Sequence, residues 1–454
     1  RKCGAARHRG DNESMDSWAT SSFVRVSSPE PTSRRRLPLE ALDDSGLQGG
    51  IRSRGTSQAS CSPPRYRGGG GGAPSEDSDL ATLRSIDFDK RSRGDIDLDV
   101  ALLSVAFKSP FGLLERYNIE ESVLRCWMGA SARQYNANPY HDWRHAVDTV
   151  QFAYVALTEG QFCRYFSYHD ILALLIACVG HDVGHMGTNN AFLVKTSHSL
   201  AMTYNDISPL ENMHAHRVFQ TFRLPGMNVL ESIESDAATT LRSKIIEAIL
   251  ATDMSHHFEL VEKLSARVLR SSDQPLATEF ETDMKMREAS RVDRRMLLQC
   301  CVHVFDLGHT CRPWRVHRHM VAALEEEFFR QGDRERELGL PIMPLMDRAK
   351  DSAASSQGFF LEKLVQPLLE PFCFFVLPAV ADTLLSNLRV NRESWAALVK
   401  QHGHVTAGKM ASLEDEAEDD GRETVEQRAG GEDEAAGRPG GGPPDVRDAW
   451  RTPR

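Results

Sequence analysis

Hydrophobic positions recur at helical spacing through the middle of this chain. Val147, Val150, Tyr154 and Leu157 fall on one face, and Gly160 supplies a stop. Residues 171–179 are apolar all round, which predicts a helix buried inside a helical domain. Ile245, Ile246, Ile249 and Leu250 predict another helix, and Val321, Leu324 and Phe328 a further one. Residues 367–385 also read as a core helix, although Glu370, Pro371 and Asp382 interrupt the apolar run. Ser208-Pro209-Leu210-Glu211 has the form of a capping box, with proline at the first helical position and glutamate reaching back. Alternating strand patterns with paired turn signals are scarce. The fold class expected is all-α, in one domain over residues 96–403.

The flanks have a different composition. Residues 1–95 are rich in Arg, Ser, Gly and Pro, with Arg34-Arg35-Arg36 and a run of glycine at 68–72. Without apolar periodicity they cannot offset their ordering entropy, so a disordered segment is expected. Residues 404–454 turn acidic, through Glu414-Asp415-Glu416, and then Gly/Pro-rich, which reads as a second disordered tail. A net charge of -10 and a pI near 6.0 argue against a nucleic-acid partner. Nine cysteines, an odd number with no C-x-x-C pair, suit neither a disulfide framework nor a cysteine-rich zinc module. Reduced thiols in a cytoplasmic protein are the expectation. No stretch reaches the ~18 apolar residues of a membrane span. The chain opens on Arg1 rather than methionine and so reads as part of something longer; a homodimer is left open.

Ionisable residues then single out three places. His181-Asp182-Val183-Gly184-His185 follows directly on the apolar segment 171–179. A buried helix ending in such groups carries them inward, where they are costly unless paired or bound to metal. Tyr140-His141-Asp142-Trp143-Arg144-His145 is the second cluster. On a helix, His141 and His145 would share a face at i, i+4 as paired ligands; alternatively one ligates and the other stays free for proton transfer. Asp306, after the mostly apolar run 297–305, is the third, although a lone Asp at a helix end is usually a cap.

The motifs YHDWRHAVDTVQ, HDVGHMGTNN, LAMTYNDISPLEN, ATDMSHHFELV and EEFFRQGDRERELGLPIMPLMDR, with Gln357 downstream, are ordered and spaced as in one family. The region resembles the class I 3′,5′-cyclic nucleotide phosphodiesterases. AMTYNDISPLEN and GLPIMPLMDR are most similar to the type-9, cGMP-preferring branch. The resemblance implies a compact all-α catalytic domain with two divalent metals in a deep pocket. His145, His181, Asp182 and Asp306 would hold the first, Zn. Asp182 would bridge to a second, Mg or Mn, held otherwise by water. His141 matches the family's general acid, and His185 and Glu211 would orient water around the metals. Gln357 and Phe360 would hold the purine of a cyclic nucleotide, Phe328 would close its other face, and Tyr140 would lie beside the site. The reaction implied releases a nucleoside 5′-monophosphate.

Several positions depart from the family pattern. Gly184 and Met186 stand where Asp and Pro are common, and Met213 replaces the first His of E-N-H-H, leaving His214. Phe359 takes the place of a glycine, and His309 that of an asparagine near the base. Two other readings compete: a different HD-type metal-dependent phosphohydrolase, and a nucleotide-binding protein without turnover. The purine-slot motifs oppose the first, and the full ligand set opposes the second.

Overall fold

The computed structural model describes residues 76–90, 95–272, 284–403 and 406. Its first helices are α1 (Glu76–Arg84), α2 (Ile96–Lys108), α3 (Leu113–Tyr117), α4 (Glu121–Ala132), α5 (Trp143–Leu157), α6 (Tyr168–Gly180), α7 (Asn190–Lys195) and α8 (Ser199–Thr203). There follow α9 (Pro209–Phe222), α10 (Ser235–Leu250), α11 (His257–Leu269), α12 (Met284–Asp306), α13 (Trp314–Glu337) and α14 (Ala353–Phe360). A π-helical turn, Leu361–Val365, runs without a break into α15 (Gln366–Cys373), and α16 (Pro378–His402) ends the body. No strand occurs among the described residues, as the all-α reading requires.

Helix α6 forms the middle. Ser167 and Asp170 make a true capping box at its start, and every residue from Asp170 to Gly180 is buried. Helices α5, α9, α10 and α12 pack around it. Each fully buried Leu, Ile or Val contributes about 1.5–3 kcal/mol, which keeps the segment in the core and fixes where its polar end emerges. The other helical faces follow the spacing of their apolar residues. Val147, Val150, Tyr154 and Leu157 are buried on α5. On α10, Ile245 and Ile249 are buried while Ile246 and Leu250 are half-buried. Helix α13 buries Val321 and half-buries Leu324 and Phe328. None of the seven cysteines among the described residues is in a disulfide, and no described helix is long and apolar enough to cross a membrane.

Three expectations need correction. Residues 367–385 are not one helix: α15 stops at Cys373 and α16 starts at Pro378, whose missing N–H suits a first turn. Ser208 forms no capping box. Its backbone is left-handed (φ 43°), and its hydroxyl donates instead to Asp253 Oδ2 at 2.7 Å. Glu211 accepts from the Asn190 amide rather than reaching back to the helix start.

The third correction concerns the N-terminal boundary. The tails expected over 1–95 and 404–454 lie outside the described residues except at 76–90, 95 and 406, but 76–90 is built into the body. Leu83 is fully buried and Phe88 nearly so. Gln151 Nε2, from α5, donates to the carbonyls of Leu83 and Ser85, both at 2.8 Å. Arg312 reaches the carbonyl of Ile86 at 3.3 Å while also binding Asp148 Oδ1 at 2.9 Å. Lys90 pairs with Asp99 at 2.9 Å, both 1% exposed, and Trp143 Nε1 donates to the same Asp99 oxygen.

Removing residues 76–90 would break the Lys90–Asp99 pair and take two acceptors from Gln151. Breaking one buried pair costs about 3–5 kcal/mol. A fragment starting at 96 is therefore expected to melt roughly 10 °C below one starting at 76. Equal melting temperatures for the two fragments, by circular dichroism, would show that the segment is dispensable.

Candidate active site

Three separate segments converge at the polar end of α6. His181 caps that helix, and its Nδ1–H donates to the carbonyl of Cys178 at 3.0 Å, which turns Nε2 inward. His145 sits in the first turn of α5, which Asp142 caps by accepting from the backbone N–H of Arg144 and His145. Asp306 is the last residue of α12. His145 Nε2 lies 3.1 Å from His181 Nε2 and 2.9 Å from Asp306 Oδ1. Asp182 Oδ2 is 3.2 Å from His181 Nε2 and 3.4 Å from His145 Nε2.

One ligand atom from each of these four residues lies within 4.8 Å of all the others. Two imidazole nitrogens that face each other and two carboxylates make the donor set of a divalent cation. Asp182 Oδ2 is buried without a hydrogen-bond partner, as an oxygen awaiting a cation would be. Burial alone would raise the pKa of Asp182 and of Asp306, but the neighbouring histidines outweigh it and hold both carboxyls well below the usual range. A second place fits a cation or its water. His214 Nδ1–H donates to the carbonyl of Val183, so its Nε2 is a bare lone pair, unpartnered and 3.6 Å from Asp182 Oδ1. Two acceptors facing each other need a donor or a cation between them.

His141 belongs to a different group. Helix α5 starts at Trp143, so His141 precedes it, and the helical i, i+4 relation to His145 does not form. The turn is set by Glu327 of α13, whose Oε2 accepts from the backbone N–H of Tyr140 and His141, both at 3.0 Å. Glu327 Oε1 lies 2.5 Å from His141 Nδ1, which leaves Nε2 as the free nitrogen. Burial would lower the pKa of His141, but the Glu327 carboxylate outweighs it and raises it to about 9. His185 stacks on His141 at 4.1 Å. Its Nδ1 accepts from Gly187 N–H, and burial and the His141 charge push its pKa down to about 3, so its Nε2–H is a neutral donor. Tyr140 lies against His145, with ring centroids 4.8 Å apart. Burial, and next the charge of Asp253, raises Glu211 to about 8.

Tyr140, His141, His145, His181, Asp182, His185 and Asp306 thus form one cluster, with Glu211 one turn before His214 on α9. Phe328 follows Glu327 on α13 and is half-buried. Gln357 and Phe360 lie on α14, which packs against α13 and α16, and make no direct hydrogen bond or ring contact with the histidines. Gln357 is 5% exposed, and its Oε1 is buried with no partner. Sequence reasoning missed Glu327 and gave His214 no role. The signal for His214 was its i+3 spacing from Glu211; Glu327, the third of three glutamates, carried none.

The family model for 3′5′-cyclic nucleotide phosphodiesterase matches residues 140–388, the span that supplies every one of these side chains. This chain belongs to that family. Among its phosphodiesterase relatives, the bovine (Bos taurus) dual specificity calcium/calmodulin-dependent 3′,5′-cyclic nucleotide phosphodiesterase 1B is 34% identical over 310 residues, 67% of this chain and 54% of the relative. The mouse (Mus musculus) high affinity cGMP-specific 3′,5′-cyclic phosphodiesterase 9A is 32% identical over 287 residues, 63% of this chain and 51% of the relative. The chain therefore spans about half the length of these curated relatives. The crystal structure of the phosphodiesterase domain of the Salpingoeca rosetta rhodopsin phosphodiesterase is similar with a TM-score of 0.64 at 30% identity, covering 73% of this chain and 96% of that one.

The geometry separates the His145, His181, Asp182 and Asp306 group from the His141–Glu327 pair. Asp306→Ala and His181→Ala are each expected to lose most bound divalent metal, whereas His141→Ala should keep it, as measured by plasma mass spectrometry after desalting. Equal loss in all three variants would make His141 a ligand.

Proposed function

We propose that this phosphodiesterase domain hydrolyses a 3′,5′-cyclic purine nucleotide to the nucleoside 5′-monophosphate. The observation that carries this reading is the juxtaposition of an ionised His/Asp ligand set with a separate His141–Glu327 pair on the family's motifs. His145, His181, Asp182 and Asp306 would hold Zn, with Asp182 shared with a Mg or Mn ion beside His214. When bound, the two ions supply Lewis-acid activation of water and of the phosphoryl group.

The chain's own residues do the rest. His141 delivers its Nε2 proton to O3′ as the ester bond breaks, because an alkoxide is a poor leaving group unless protonated as it departs. Glu327 fixes the ring's other nitrogen and favours the charged form that can give a proton up. His185 and His214, both neutral, and Glu211 orient water around the ligands. His141→Ala is expected to slow turnover by about 10²–10⁴-fold with bound metal unchanged. Turnover within threefold of the parent would remove the general-acid role.

At the base end, the unpartnered amide of Gln357 supports a purine partner, with Phe360 and Phe328 stacking on its faces. An amide can pair with guanine or with adenine, so its neighbours decide. His309 stands where the resemblance puts a base-side residue, and its tautomer is fixed from behind. Trp395 Nε1, a donor only, bonds His317 Nε2 at 2.8 Å, so neutral His317 carries its proton on Nδ1. That proton faces the His309 carbonyl at 3.2 Å and His309 Nδ1 at 3.3 Å. His309 Nδ1 is therefore bare, and its Nε2–H is a fixed donor. A donor suits O6 of guanine and opposes the amino group of adenine. We accordingly expect cGMP to show the higher kcat/KM, by roughly tenfold, about 1.4 kcal/mol. Side-by-side kinetics favouring cAMP would overturn the base preference and leave the reaction class standing.

A further inference from the structure

We propose that Pro367 is a positioning residue for purine recognition: it imposes the π-helical turn Leu361–Val365 and so sets the direction in which Gln357 and Phe360 face. The inference rests on the purine-binding role proposed above for those two residues.

From 353 to 373 the backbone is helical without interruption, yet two prolines lie inside it, Pro367 and Pro371. Proline has no N–H, and in an α-helix its ring crowds the carbonyl four residues earlier. For Pro367 that carbonyl belongs to Lys363, in the middle of the wide turn. There Gln366 N–H bonds the carbonyl of Leu361, five residues back rather than four. Widening the turn moves the obstructed carbonyl aside, and it places one extra residue in the turn. One residue of an α-helix is a rotation of about 100°, so the wide turn decides which face α14 presents.

The flanks differ in how firmly they are held. In the turn itself Leu361, Leu364 and Val365, and downstream of it Leu368, Leu369 and Phe372, are each at most 2% exposed, with α11 and α12 beside α15. Upstream, Ala354 and Gln357 are buried while Gly358, Phe359 and Phe360 are half-buried, and a Cβ added at Gly358 would meet nothing within 4 Å. If the turn relaxes to an α-helix, α14 is the part that rotates, carrying Gln357 and Phe360 away from the base.

The test uses the full chain loaded with divalent metal. Pro367→Ala should raise KM for cGMP and cAMP roughly 10- to 100-fold. Turnover of bis(p-nitrophenyl) phosphate, a diester without a base, should stay unchanged because the ligands and His141 lie elsewhere. Deleting Lys363, whose side chain is 58% exposed, in the Pro367→Ala background removes the extra residue and should restore KM. An unchanged KM in Pro367→Ala, or a raised KM that the deletion fails to restore, would overturn the proposal. If the parent chain turns over the chromogenic diester and neither cyclic nucleotide, the purine reading fails. The crystal structure of Pro367→Ala then decides the turn by itself. A Gln366 N–H moved to the carbonyl of Glu362 upholds the role of Pro367, and one still on Leu361 refutes it.

Discussion

Asp306 closes the helix Met284–Asp306, where the exposed carbonyls and the dipole disfavour a carboxylate. What holds its charge there is a pair of imidazoles, His145 at 2.9 Å and His181 at 3.4 Å. Those two rings come from helices more than thirty residues apart in sequence, and Asp306 from a third. The contact therefore exists only when α5, α6 and α12 are packed. Desolvating these charges costs several kcal/mol per ion, and the burial of 171–179 supplies the packing that offsets it. The positions of Tyr140, His141 and His185 follow from this convergence, because Tyr140 and His141 lead into α5 and His185 continues from α6.

The same arrangement keeps two kinds of chemistry apart. Glu327 lies within ligand distance of His141 and His185 but is not among the four residues around Asp306. By accepting from Nδ1 of His141 and from two backbone N–H groups, it spends both oxygens on the turn before α5. A carboxylate satisfied in that way favours an imidazolium over metal capture by the same ring. The His/Asp group and the His141–Glu327 pair thus sit side by side, each with its own carboxylate.

Legibility in the sequence tracked how local the cause was. The apolar run 171–179 and the stripe on α5 announced themselves because a helix in a core needs only its own residues to show the pattern. The His181-Asp182 cluster was readable for a related reason: ionisable groups directly after a buried helix are carried inward, where they are costly unless paired or bound to metal. Long-range causes left no trace. The N-terminal boundary lay beyond reach because the few apolar residues of 76–90 stand among charged ones, and the side chains that anchor its backbone, Gln151 and Arg312, are 66 to 226 positions away. Ser208 carried a capping signature and uses its hydroxyl elsewhere, since Asp253, 45 residues on, competes for it. Glu327 looked like one of three surface glutamates until α13 packed against the turn at 140–141.

The departures from the family pattern around the metal loop are also long-range, and two of them have a common cause. Gly184 adopts φ 82°, a conformation that favours glycine, and a Cβ there would meet Arg217 Nε, Cζ and Cδ at 2.6–2.8 Å. Arg217 Nε donates in turn to Met213 Sδ at 2.9 Å. The guanidinium of Arg217, one turn along α9 from Met213, therefore fills the volume that a side chain at position 184 would need. Met186 packs separately against the cluster of Phe192, Leu200 and Met213. Gly184, Arg217 and Met213 thus pack against one another behind the loop. His181 Nε2 and Asp182 Oδ2 lie instead beside His145 Nε2, at 3.1 and 3.4 Å.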